Sequence, residues 1–330
     1  MIGGWGGLLL NLWVVAGIAT ILGAVLIALV QSHLLVALAR FNAAAKQHFL
    51  WAIAASPMLI GTFAVLLTMT PSLSHELGLS ADHCHFHGDG HDHLCWNHPP
   101  IFEWLGWKGF CALGFAAFIV WNYAREIIRR RAQQSHLDTL LLLSETADGN
   151  LYVYESDQPH AFTMGMRSPK VLISSGLVKA LETRELAIVC QHEYAHRERR
   201  DPLRLWWFGL LLCVFIPAAR RQLRDAMELA IEQLADAKVA ASAHDSSLVA
   251  RTLIKVNRLG LRYLKQSPQL MSCAFCTTAI EARIHQLLAH HQGRQFPLPG
   301  FIFSALVIFA IGLYHADLLH HLIEDLLHHH

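Results

Sequence analysis

The sequence predicts a multi-span α-helical membrane protein carrying a small α+β domain, with four transmembrane helices and one further segment that dips to the membrane surface. Three observations predict it. The 330 residues are 54% hydrophobic and only 15% charged, with a mean hydropathy of +0.34, too apolar for an ordinary soluble domain. Four apolar runs match the roughly 20 helical residues that cross a hydrocarbon core of about 30 Å. Between the third and fourth lies one long stretch, 124–297, that mixes short strand-like runs with amphipathic helical spacing.

Residues 5–30, 50–69 and 104–123 are the first three runs, and 298–318, at Pro297 and Pro299, is the fourth. The first has neither a basic leader nor a small-residue cleavage site, so it reads as a retained span. Arg40 and Lys46 lie between spans one and two, and Arg125, Arg129, Arg130 and Arg131 follow span three. The positive-inside bias puts those sides in the cytoplasm, as in a bacterial inner membrane. The N terminus, the loop at about 70–100 and the tail after 318 then face outside. The domains expected are 1–123, three helices with that loop; 124–297, a cytoplasmic domain; and 298–330, the fourth helix with a short outside tail.

Residues 205–219 (LWWFGLLLCVFIPAA) are apolar but short, with Arg200 and Arg204 before them and Arg220, Arg221 and Arg224 after. A full span would leave one basic cluster outside. An interfacial or re-entrant hairpin is therefore expected, with a fifth full span as the alternative.

Within 124–297, residues 150–154 (NLYVY) and 170–174 (KVLIS) read as strands, and Pro169 suits a strand entry. Ala161, Phe162, Thr163, Met164 and Gly165 read as extended and edge-like. Helical spacing follows at 177–181 and 185–196. In the latter, His192, Glu193 and His196 spell H-E-x-x-H. Residues four apart sit about one turn apart, so both imidazoles leave one face and can share a metal. Neutral imidazole is a good zinc ligand, and the intervening Glu is placed to take a proton from a water. Three fixed residues also recur by chance, so a third ligand is needed. Residues 220–241 form the next strong helical pattern, with Glu228, Glu232 and Asp236 four apart on one face. They read either as a solvated stripe paired with Arg224 and Lys238, or, beside HEYAH, as a ligand and its supporting carboxylate.

HEYAHRERRD followed by EQLAD, with SDQPHAFTMGMRSPKVLISSGL before and IEARIHQLL after, resembles the M56 (BlaR1/MecR1-like) integral-membrane zinc metallopeptidases, which are related to the M48 (HtpX/Ste24-like) peptidases. These blocks cover most of 151–288. The resemblance implies a zincin-like (gluzincin) metalloprotease fold for the cytoplasmic domain, with one catalytic Zn2+. It implies His192, His196 and Glu232 as metal ligands and Glu193 as general base, with Glu228 as the reserve ligand. Asp236 would orient a ligand histidine, and Asp201 matches a structural position. Ala161, Phe162, Thr163, Met164 and Gly165 match the edge strand that binds an extended substrate by backbone pairing. Sensors of this type carry a penicillin-binding domain after the fourth span; this chain continues only about twelve residues, so direct β-lactam sensing is not expected.

The expected activity is zinc-dependent endopeptidase cleavage of a protein on the cytoplasmic side, in signal transduction, through a transcriptional repressor, self-cleavage or both. The alternatives are an M48-like quality-control protease of membrane proteins and a non-catalytic metal-sensing receptor. Expected partners are a protein substrate and the lipid bilayer, with a homo-oligomer left open. A formal net charge of +1 gives no reason to expect direct nucleic-acid binding.

Histidine is the compositional outlier, at 23 residues. The outside loop gathers His83, Cys84, His85, His87, His91, His93, Cys95 and His98 around Asp82, Asp89 and Asp92. Such tracts bind transition metals, which makes this loop a candidate secondary metal site through which the protein responds to metal. A loop without a defined site is the alternative, and Cys84 and Cys95 could instead form a disulfide. Cys273 and Cys276 lack a second pair, and Cys111, Cys190 and Cys213 lie in apolar runs; all five read as packing residues. His328, His329 and His330, native or the remnant of a tag, stand outside the site.

Overall fold

Three long apolar helices lead the chain in the computed structural model: α1 (Gly4–Leu38), α2 (Ala43–Glu76) and α3 (Trp107–Leu142). The structure describes residues 1–78, 94, 100–148, 150–243, 245–266, 274–288, 293–316, 318 and 322–323. The expected loop ligands His83, Cys84, His85, His87, His91, His93, Cys95 and His98 lie outside the described residues, as do Cys273, the side chain of Cys276 and the terminal histidines. Each of the three helices is long and apolar enough to cross a membrane. α1 and α2 touch closely through small residues: a Cβ on Gly61 would meet Thr20 Oγ1 at 2.2 Å and the Ala16 carbonyl oxygen at 2.8 Å. The boundary expected at 123 falls inside α3, because the arginine-rich stretch that ends the apolar run is itself a good helix former.

The helix ends are sorted into two sets. Ile2 forms a bridge with Phe102 at one end, while Phe41, in the α1–α2 turn, bridges Arg294, just before α10 (Leu298–Tyr314). That sorting is what alternating spans require. α10 is apolar but has only 17 residues, below the roughly 20 of a typical crossing.

After α3 comes a four-stranded sheet, β1 (Ser144–Asp148), β2 (Leu151–Tyr154), β3 (Ala161–Met164) and β4 (Lys170–Ser174), in the order β1-β2-β4-β3. β2 and β4 are parallel, whereas β1 and β3 join antiparallel. β4 is central because KVLIS is apolar on both faces, with Val171, Leu172 and Ile173 buried. β3 lies at one edge, as its residues predicted. β1, SETAD, was not visible as a strand, since it lacks a β-branched or aromatic run.

Ser174 ends β4 and caps α4 (Ser175–Ala180), its hydroxyl accepting from the Leu177 amide at 3.2 Å. α5 (Thr183–Arg199), α6 (Asp201–Leu211), a 3-10 turn (Leu212–Val214), α7 (Pro217–Ala243), α8 (Ser246–Gln266) and α9 (Ala274–Leu288) follow. The sheet's inner face packs Val171 and Ile173 against Leu186 and Val189 of α5 and Val256 of α8. A second cluster joins α6, the turn and α7 to α1 and α2, through Phe208, Leu212, Phe215 and Leu223 against Ala24, Leu50 and Ala54.

The apolar segment 205–219 therefore divides between the end of α6, the turn and the start of α7. A fifth full span is excluded: α6 has 11 residues, and α5 and α7 lie side by side, in side-chain contact between His192 and Glu232. Arg220 holds the turn, donating to the carbonyls of Leu212 at 3.0 Å and Cys213 at 2.8 Å, groups that the end of α6 leaves without helical partners. Cys213 is buried and Cys190 half-buried, but Cys111 is exposed on α3, so it does not pack in this core as expected.

Candidate metal centre

α5 carries His192, Glu193 and His196, and α7 lies against it. The helical period turns both imidazoles toward α7, where Glu232 waits. His192 Nε2 is 3.2 Å from Glu232 Oε2, His196 Nε2 is 3.4 Å from Glu232 Oε1, and the two Nε2 atoms are 3.0 Å apart. The ligand atoms of these three residues all lie within 4.8 Å of one another.

Each ring is held from behind by a carboxylate. His192 Nδ1 is 3.1 Å from Asp236 Oδ1, and His196 Nδ1 is 2.9 Å from Asp201 Oδ2. A carboxylate can only accept, so both Nδ1 atoms carry their protons and both Nε2 atoms are turned to the same point. Two lone pairs at 3.0 Å beside a carboxylate repel unless a positive charge sits among them. Two imidazole nitrogens and one carboxylate oxygen fit zinc, with room for a fourth position. The electrostatics make the same demand. Burial opposes charging His192, yet its hydrogen bonds to the Asp236 and Glu232 carboxylates push its pKa up to about 10, so this point calls for a positive charge, either a proton on Nε2 or a metal ion in its place.

Arg283 of α9 completes the cluster. Its Nε and one terminal nitrogen donate to Asp236 at 2.7 and 2.8 Å, and the other terminal nitrogen reaches Glu232 at 2.9 Å. Burial works against ionised carboxyls here, but His192 and Arg283 hold both Glu232 and Asp236 well below the usual carboxylate range. Nothing in IEARIHQLL marks this arginine from sequence; its role exists only once α9 packs on α7.

Glu193 lies beside the cluster. The Thr163 hydroxyl of β3 is 2.8 Å from Glu193 Oε2 and 2.9 Å from the Glu193 carbonyl oxygen. The sheet edge and the carboxylate are thus pinned together. A cleft of about 580 Å3 runs along them, lined by Ala161, Phe162, Thr163, Met164 and Gly165 on one wall and by the histidines and Glu232 at its floor. Gly165 ends the strand with φ of 106°, a backbone that favours glycine.

Two expectations gain detail. Asp201, matched to a structural position, holds the His196 ring at 2.9 Å; its signal was its place five residues after His196, behind a tight turn. That turn is Arg200, in the left-handed region at φ 53°, which swings Asp201 back under the ring. Glu228, the reserve ligand, lines the cleft but is not among the clustered ligand atoms. Burial pushes its carboxyl up.

Residues 128–267 match the profile of peptidase family M48. Two curated relatives are each called "Protease HtpX homolog". The protein from Thermodesulfovibrio yellowstonii is 38% identical over 23% of this chain and 25% of its own length. That from Acidiphilium cryptum is 27% identical over 33% of this chain and 50% of its own length. The chain thus spans between a quarter and half of the length of these relatives. No solved structure matches. These matches liken residues 128–267 to M48 peptidases, where the sequence had pointed first to M56.

Proposed function

We propose that the chain is a membrane-embedded zinc-dependent endopeptidase whose ligands are His192, His196 and Glu232 and whose general base is Glu193. The observation that carries this reading is the pair of imidazoles with both Nδ1 atoms committed to carboxylates and both Nε2 atoms turned to one point, 3.0 Å apart. A zinc ion held there would supply Lewis acidity to a peptide carbonyl and lower the pKa of a water.

The protein's own residues do the rest. β3 offers its free edge to an extended substrate, whose backbone adds as a further strand. That edge lies against Glu193 through Thr163, so the scissile carbonyl is laid beside the base. Glu193 takes a proton from the attacking water and delivers it to the leaving amine. Asp236 and Asp201 keep both rings oriented, and Arg283 keeps the carboxylates ionised around the centre.

For the substrate, the M48 match favours quality control of membrane proteins over cleavage of a repressor. The orientation proposed is an outside N terminus, a cytoplasmic cleft and α10 as a fourth, short crossing; the histidine-rich loop would then be an outside metal site. The test is proteolysis of a denatured membrane protein by the detergent-purified chain, beside Glu193→Gln. Cleavage by wild type that the variant loses, with zinc retained, supports the reading. A cellular metal response that persists in Glu193→Gln would favour the non-catalytic receptor.

A further inference from the structure

A second hollow, of about 540 Å3, lies outside the cleft, between Trp51 of α2 and a wall formed by Arg199, Arg200, Arg204, Trp207 and Leu211. Arg204, Trp207 and Leu211 are spaced by three and four residues, so they form one stripe along α6, and Arg200, which precedes the helix, lines the same hollow. The stripe is charged at one end and apolar at the other.

The charges at the first end are largely uncompensated. Glu198, which also lines the hollow, is paired with Lys238. Arg199 donates to Gln47 Oε1 at 3.0 Å and lies 3.4 Å from Asp201 Oδ1. Among the described residues, neither Arg200 nor Arg204 has an ion-pair partner, and both are exposed. At the other end Trp207 is 52% exposed, an unusual position for indole unless something apolar covers it. Trp51 meets Phe208 edge-on at 5.4 Å, which fixes the hollow against α2, a helix able to cross a membrane.

We propose that this hollow binds the headgroup of an anionic phospholipid. Arg200 and Arg204 take the phosphate, since planar guanidinium groups match its oxygens and tolerate partial desolvation. Trp207, Trp51 and Leu211 cover the glycerol and first acyl carbons, the depth at which indoles sit in bilayers. Charge complementarity chooses the lipid: two unpaired arginines favour a net negative headgroup over a zwitterionic one. This proposal depends on the membrane placement of α2 and not on the peptidase chemistry.

Native mass spectrometry of the full-length protein in mild detergent tests it, with phosphatidylglycerol, phosphatidylcholine and inorganic phosphate as probes. Wild type should retain phosphatidylglycerol in preference to phosphatidylcholine, and inorganic phosphate should not displace it. Arg200→Asn with Arg204→Gln should weaken that retention by roughly 30-fold, the effect expected of two basic groups near a lipid surface. Asparagine suits the left-handed backbone at 200, and Arg204→Gln alone, on an exposed helical position, should give a partial loss if the pair does not purify. Zinc content should be unchanged in Arg204→Gln. Equal retention of the two lipids by wild type, displacement by inorganic phosphate, or an equal loss in Arg129→Gln with Arg131→Gln would overturn it.

Discussion

The two histidine arms of the candidate centre are held in opposite ways. His196 is held locally: one left-handed residue, Arg200, turns the chain so that Asp201 reaches back five positions to its ring at 2.9 Å. His192 is held from across the fold, by Asp236 of α7, which is itself clamped by Arg283, 47 residues further along. The local arm can form as soon as α5 and the start of α6 exist. The distant arm exists only when α5, α7 and α9 are all packed, so metal affinity on that side reports on tertiary structure.

The sharpest way to break this contrast is to remove the clamp. Arg283→Met leaves the buried Asp236 with His192 as its remaining partner, and breaking such a buried pair costs about 3–5 kcal/mol; a large drop in the thermal unfolding midpoint and loss of zinc are expected. Arg283→Lys should not restore the wild-type midpoint, because an ammonium cannot reproduce the two-pronged contact. Asp236→Asn comes next. Metal-supporting carboxylates of this kind are worth about 10–100-fold in affinity, and chelator competition should place this variant toward the upper end. Asp201→Asn should fall toward the lower end, since the turn at Arg200 still presents an acceptor to His196. Equal losses from the two substitutions would erase the distinction between the arms.

The smallest expected effect is in acid. The Asp236 carboxyl is lowered in the folded protein: burial opposes this, but its hydrogen bonds with Arg283 and His192 prevail. Its contribution is therefore fully present above the unfolded value of about 3.9 and is lost as pH falls through the folded one. Between about pH 5 and 3 the wild-type unfolding midpoint should fall more steeply than that of Asp236→Asn.

The same contrast explains what could be read from the sequence. His192, Glu193 and His196 stand on one helix at fixed spacing, and their mutual placement follows from its period. Glu232 and Asp236 were visible as carboxylates one turn apart, and only their neighbour across the fold separates them from a solvated stripe. Arg283 carried no signal because its partners lie in another helix. The apolar runs located α1, α2 and α3 but not their ends, since hydropathy stops at Arg125 while the α3 hydrogen bonds continue to Leu142. The 205–219 segment was ambiguous for the same reason: apolarity alone does not separate a crossing from a helix and turn buried against α1 and α2.

The most direct measurement is zinc per chain after dialysis against a weak chelator, in wild type and His196→Ala. Wild type should hold one chelator-resistant zinc that His196→Ala lacks. An unchanged zinc content in His196→Ala would contradict the centre described here.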